Sequence, residues 1–223
     1  MPRENVEFKT HDDVILRGWF FKPSSASGKL PCLVMSHGWS ALKEMDLDVF
    51  AEHFTTNLDI TCLVFDNRGF GDSDTKEGQP RSEIIPSVQQ SDISDAITYA
   101  QGRDEVDPKK IGIWGSSYSG GHVLYVAAVD KRVKAVISQA PMVDGWENFN
   151  RLVRPDFQPP MNDAFEAGMA LGFGGTYACN TSPELSKMTI RSSWPSCWER
   201  CYQDPKYRRR SPEAVRTPHN RLL

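Results

Sequence analysis

No run of about 18 or more apolar residues occurs in the 223-residue sequence, so no membrane-crossing helix is predicted. The first residues, Met1-Pro2-Arg3-Glu4-Asn5-Val6-Glu7, lack an apolar h-region and a small-residue cleavage site. A cytoplasmic chain is therefore expected. No long basic run appears before residue 190, and the formal net charge is -3. That balance offers no electrostatic footprint for nucleic acid or an anionic membrane surface, and a small-molecule partner is the expectation. Cysteine is scarce and odd in number, five in all. Cys32 and Cys62 lie in strand-like apolar runs, and Cys179, Cys197 and Cys201 are scattered through the last third, which favours reduced thiols over a disulfide framework. Cys197 and Cys201 have no neighbouring His or Cys pair to complete a tetrahedral metal set. There is no internal repeat, and no low-complexity segment beyond Arg208-Arg209-Arg210.

What is present is ordinary globular usage, 39% hydrophobic and 25% charged residues, in a length suited to one buried domain. Strand-like and helix-period segments alternate, the pattern of a sheet with helices on its faces. Residues 6–10 and 14–22 read as an antiparallel hairpin turning at His11-Asp12-Asp13. Residues 30–36 are a continuous apolar run, as expected of a strand buried on both faces. An amphipathic helix is expected over 42–58, with Leu47, Phe50, Ala51 and Phe54 on one stripe. A strand follows over 60–65, a Gly-rich loop from Asp66 to Ser73, a helix over 84–101 and a strand over 110–114. A helix over 120–129 and a strand over 133–140 complete the pattern. Beyond Pro141, repeated Pro and Gly interrupt any long element. Residues 191–223 carry eight Lys or Arg against three acids and few aliphatics, too little to supply another buried strand. The expected organisation is a core over 1–145, a lid-like segment over 146–190 and an irregular basic tail over 191–223.

The segment that carries chemistry is Ile111-Gly112-Ile113-Trp114-Gly115-Ser116-Ser117-Tyr118-Ser119-Gly120-Gly121, a buried strand running through a small-residue turn into a helix. A nucleophile elbow reads G-x-S-x-G; here Gly115 and the central Ser117 are kept, and Ser119 stands in place of the last glycine. Strand and helix crowd at those flanking positions, so both must be small, a requirement Ser119 with Gly120 and Gly121 still meets. Ser117 is the candidate nucleophile, with Ser116 and Ser119 the less central alternatives. Acyl transfer also needs two N–H donors aimed at the developing oxyanion. Tyr118 is the candidate for one, and Trp39 in the loop His37-Gly38-Trp39 for the other. His37 is read as a brace for that loop rather than a base, Asp66 and Arg68 as scaffold for theirs, and His122 as a packed helix histidine.

With the oxyanion loop, the loop from Asp66 to Ser73, the elbow and Ala140-Pro141-Met142 in this order, the chain resembles the α/β-hydrolase superfamily over about residues 1–145. Within it, the elbow is similar to that of the fungal secondary-metabolite hydrolases known as polyketide transferases. The resemblance implies a mostly parallel sheet flanked by helices, apparently lacking the last strands. It implies a serine hydrolase or acyltransferase that works through an acyl-Ser117 intermediate, without a metal or organic cofactor. The acyl group would be a polyketide held as a thioester or ester, with a carrier protein as a candidate partner. The family's acid and histidine follow strands beyond the sixth. Here Asp144 and His219 are the available candidates, and an incomplete triad is the third possibility. An open sheet edge would then favour aggregation. Phe149, Phe157, Phe165, Met169 and Phe173 are candidates for an apolar pocket or for plain core. Two other readings stay open: a hydrolase-like protein that binds an acyl ligand or carrier without turnover, and a product of a shifted reading frame.

Overall fold

The structure is a computed structural model that describes residues 3–24, 28–152, 154–160, 176–178 and 189–191. Strands β1 (Arg3–Lys9) and β2 (Ile15–Phe21) pair antiparallel from Arg3 opposite Phe21 to Lys9 opposite Ile15. β2 then lies antiparallel to β4 (Thr61–Phe65), and from there the sheet is parallel through β3 (Leu30–Ser36), β5 (Val106–Ser116) and β6 (Val133–Gln139). The order across the sheet is β1-β2-β4-β3-β5-β6. The central strands are apolar on both sides, and helices cover both faces. Cys32, Val34, Leu63, Phe65, Ile111 and Ile113 point to the side covered by α2 (Pro86–Gln101) and α3 (Tyr118–Val129). Leu33, Met35, Cys62, Val64 and Trp114 point to the side covered by α1 (Leu47–Asn57). Each large side chain so buried contributes about 1.5–3 kcal/mol.

The element order and the alternation are those read from the sequence, with shifted ends. α1 begins at Leu47 rather than at residue 42. The apolar period does start there, but the Lys43 N–H and its ammonium are both drawn to the Asp66 carboxylate, at 2.8 and 2.6 Å. That tether holds the preceding residues in a turn that ends at Asp46 with φ 68°. α2 starts with Pro86, which lacks the N–H a first helical residue could not use. β5 is longer than the run of 110–114 because Val106 already pairs with Leu30 before a register shift.

β6 is an edge strand of the sheet among the described residues, opposite β1, and Val136 and Ile137, neighbours that point to opposite faces, are both exposed. Leu124, Tyr125 and Val129 on α3 are exposed as well. The segment expected to be a lid contains α4 (Gly145–Leu152) and the short strands β7 (Thr176–Ala178) and β8 (Thr189–Arg191), which pair with each other in a separate two-stranded sheet. Phe157 is exposed. Phe165, Met169, Phe173 and all of the basic tail after Arg191 lie outside the described residues.

Candidate active site

Ser117 sits between the last residue of β5 and the first of α3, with φ 54° and ψ −112°. A non-glycine residue in such a region costs about 1–3 kcal/mol and persists only where its surroundings over-determine it. Here the Ser117 N–H donates to Gln139 O at 2.9 Å, and the Ser117 carbonyl accepts from Met142 N–H at 2.8 Å. Both anchors come from the end of β6 and the turn after it. The turn also demands a close approach of strand and helix. A Cβ on Gly115 would lie 2.2 Å from the Ser119 carbonyl oxygen, so only glycine fits. The serine itself is exposed.

The loop after β3 comes to the same place. A Cβ on Gly38 would lie 3.1 Å from Ser117 Cβ and 3.8 Å from Ser117 Oγ, so the Gly38-Trp39 main chain borders the serine hydroxyl. Among the described residues, neither the Trp39 N–H nor the Tyr118 N–H is bonded to a main-chain carbonyl. The Trp39 and Tyr118 rings meet edge to face at 5.0 Å. Tyr118 also packs against the cluster of Phe70, Ile84 and Leu42, and burial holds its phenol above the ordinary value.

His37 is buried and fully bonded. Its Nε2 accepts the Asn67 main-chain N–H at 2.9 Å, so a neutral ring must carry its proton on Nδ1, which lies 3.0 Å from Gly38 O and donates to it. Burial pushes its pKa down, in keeping with a neutral ring. His122 lies behind Tyr118, with Nε2 3.2 Å from Gln89 Oε1 and Nδ1 3.4 Å from Gln90 Nε2, and burial lowers it to about 4. His11 is held by Asp95 at 3.0 Å, and His53 lies beside Asn57 on the exposed face of α1. Among the four described histidines, His37 and His122 are engaged on both ring nitrogens, and none of the four is hydrogen-bonded to Ser117. Asp144 caps α4: its Oδ1 accepts Glu147 N–H at 2.9 Å. His219 lies outside the described residues.

The loop after β4 is a buried charge network. Asp66 receives Lys43 at 2.6 Å, and the same ammonium reaches Asp72 at 2.7 Å and Glu44 at 2.8 Å. These three carboxylates are close enough to hold a metal ion, but the space between them is filled by Lys43 Nζ. Burial alone would lower the Lys43 pKa; the three carboxylates outweigh it and raise it. Arg68 forks to Asp92 on α2 and to Asp12 in the hairpin turn, at 2.7 Å from Nε to Asp92 and 2.9 Å to Asp12. Cys32 is buried, and its thiol is pushed up to about 11 by burial, which makes it inert.

The sequence did not single out Lys43, Asn67, Asp12 or Asp92. One signal was available: Asp92 falls on the same stripe of α2 as Ile93, Ala96 and Ala100, and a carboxylate in an apolar stripe must find a buried cation. Lys43 gave none, since its partner lies on a different loop.

A strand–turn–helix that holds a serine at positive φ, at the carboxyl end of a parallel strand in this order, defines the α/β-hydrolase class. The model of that family, described as the alpha/beta hydrolase fold, matches residues 31–196, and the chain belongs to the family. Among curated relatives it is 42% identical over 144 residues to the quorum-quenching protein AidA of Acinetobacter baumannii, a match covering 65% of this chain and 45% of that one. It is 40% identical over 163 residues to the polyketide transferase grgF of a Penicillium species, covering 73% and 53%. The crystal structure of the alpha/beta hydrolase GrgF from Penicillium superposes with a TM-score of 0.66 at 29% identity, covering 91% of this chain and 66% of that one. The chain thus spans about half the length of the curated relatives it matches.

Proposed function

We propose that Ser117 is the nucleophile of an acyl-transfer reaction, with the Trp39 and Tyr118 amides stabilising the oxyanion. The observation that carries this reading is the Ser117 backbone, held at φ 54° by bonds to Gln139 and Met142 with the Gly38-Trp39 main chain alongside its hydroxyl. Attack by Ser117 Oγ on an ester or thioester carbonyl forms a tetrahedral oxyanion; expulsion of the alcohol or thiol leaves acyl-Ser117, which water or an acceptor then releases. Donors preorganised on main chain cost no reorganisation at that moment. The relative named a polyketide transferase supports a polyketide acyl group as substrate; a carrier protein as its donor and a cytoplasmic location are further parts of the proposal.

The described residues supply the nucleophile and donors and leave proton transfer to a group outside them, with His219 the sole remaining histidine. That none of the other four is hydrogen-bonded to Ser117 favours a second reading, an acyl-binding protein without turnover. Intact-mass measurement after exposure to a fluorophosphonate tests the first. One adduct is expected on the wild type and none on Ser117→Ala; a stoichiometric adduct on the variant would remove Ser117 as nucleophile. Thioester hydrolysis that stays at the residual level, about 10³–10⁴ over water, in wild type and His219→Ala alike would favour the binding reading. Turnover of about 1 s⁻¹ or more that collapses in His219→Ala would show that His219 serves as the base.

A further inference from the structure

We infer that Ser119 is a positioning residue whose hydroxyl ties the elbow to the loop after β3 and so fixes the two oxyanion donors relative to each other. The inference rests on the reading of Ser117 given above. It starts from a departure in sequence. The elbow pattern asks only for a small residue two positions after the nucleophile, and glycine meets that demand. Serine adds a hydroxyl, and that hydroxyl is fully buried.

Its bonds leave α3 altogether. Ser119 Oγ donates to the His37 carbonyl and lies 2.9 Å from Ser36 Oγ, which in turn lies 3.0 Å from Asn67 Oδ1. The one proton of Ser119 goes to the His37 carbonyl and that of Ser36 to Asn67 Oδ1, so the two hydroxyl oxygens touch at 2.9 Å with no proton between them. The end of β3, the loop after β4 and the first turn of α3 thus meet around the Ser36 hydroxyl, with Ser119 alone reaching the His37 carbonyl.

The consequence for the donors follows from peptide planarity. In a trans peptide the N–H points opposite to the C=O, so holding a carbonyl aims the amide that follows it. Ser119 holds the His37 carbonyl, which aims the Gly38 N–H. The His37 Nδ1–H, 3.0 Å from Gly38 O, holds the next carbonyl, which aims the Trp39 N–H. His37 can do so only because Asn67 N–H occupies Nε2 and forces the proton onto Nδ1. Two successive peptides of the oxyanion loop are therefore locked. One lock is the side chain next to Tyr118, the residue that bears the other donor. Without the hydroxyl, the described partner left to the buried His37 carbonyl is Asn67 Nδ2 at 3.4 Å, a poor bond.

The test compares wild type with Ser119→Ala, which keeps the Cβ and removes only the hydroxyl. Two quantities are read: the rate at which a p-nitrophenyl phosphonate labels Ser117, and amide hydrogen exchange in the free protein. Labelling is expected to slow about 10- to 100-fold, less than deletion of a whole oxyanion donor. The Ala41 and Asn67 amides, which are bonded to Gly38 O and His37 Nε2, should exchange about tenfold faster, while Val34 and Met35 in β3 keep their protection. Unchanged exchange and labelling would overturn the inference, and so would uniform loosening of β3, which would make Ser119 a packing residue only. If the wild type takes no label, or Ser117→Ala does, the nucleophile reading falls while the exchange comparison still decides the tie. Ser119→Gly, which restores the usual elbow residue, carries the same expectation where the alanine variant does not fold.

Discussion

Adding one methyl group at Gly115 should both destabilise the protein and move the site. An alanine Cβ there would stand 2.2 Å from the Ser119 carbonyl oxygen and 2.5 Å from its carbon. Both are main-chain atoms of α3, so no side-chain rotation relieves the contact. Ordinary contact begins near 3.4 Å, and α3 must therefore recede from β5 by about 1 Å in a close-packed interior. Overpacking of this kind costs roughly 1–3 kcal/mol. Taking the upper end, because backbone must shift, a domain of this size should lose about 6–12 °C in Tm. The same displacement carries the Tyr118 amide away from Ser117, and a misplacement of about 1 Å can lower a rate about 100-fold. Thermal melts by circular dichroism read the first effect, and the rate of phosphonate labelling reads the second. A Tm within about 1 °C of wild type would refute the argument that close approach dictates glycine here.

Two further predictions concern the buried charges. Lys43→Met leaves the fully buried Asp66 carboxylate without its cation and should cost about 3–5 kcal/mol in urea unfolding. Lys9→Met removes only the exposed pair with Asp13 and should cost about 0–1 kcal/mol; equal losses would refute the distinction. Asp92 has its pKa raised to about 6, chiefly by burial that the Arg68 bonds only partly offset. In the unfolded chain it titrates at the usual carboxylate value, so between about 4 and about 6 folding takes up a proton and this group's contribution to stability falls as pH rises. Asp92→Asn removes that contribution, and its stability relative to wild type should rise across the same window. Asp12, held low chiefly by Arg68, pulls the other way in both proteins. A relative stability that stays flat or falls would refute the assignment.

Much of the fold was legible because it depends on short-range pattern. The runs at Leu30–Ser36, Thr61–Phe65 and Val133–Gln139 have the continuous or alternating apolar character of strands, with Gly28 and Gly38 flanking the first and Pro141 following the third. The start of α1 was not legible. Its apolar period continues back to Leu42, and what stops the helix is the bond from Lys43 to a carboxylate on another loop. The same distinction separates the parts of the site. Ser117 could be found from its immediate neighbours, since small residues on both sides report the crowding of strand and helix. The bonds from Ser119 to the His37 carbonyl and from Asn67 to the His37 ring could not, because each joins segments that lie far apart in the chain. His37 and His122 show the value of context: both were read as packed rather than reactive, and each ring is engaged on both nitrogens.

The strand order also has a kinetic meaning. Ser36 pairs with Gly115, so the Gly38-Trp39 main chain and the Ser117 turn become neighbours only when β3 and β5 align. Between them the chain makes α1, β4 and α2, and β4 lies on the other side of β3. No local hairpin or helix pair can therefore assemble the two proposed donors. They appear only when a long loop closes, a step whose entropy must be spent before the contacts that repay it are made. During refolding from urea, binding of a serine-directed probe should lag behind the recovery of helical circular dichroism. The site should therefore be among the last features of the domain to form and, in gradual unfolding, among the first to go.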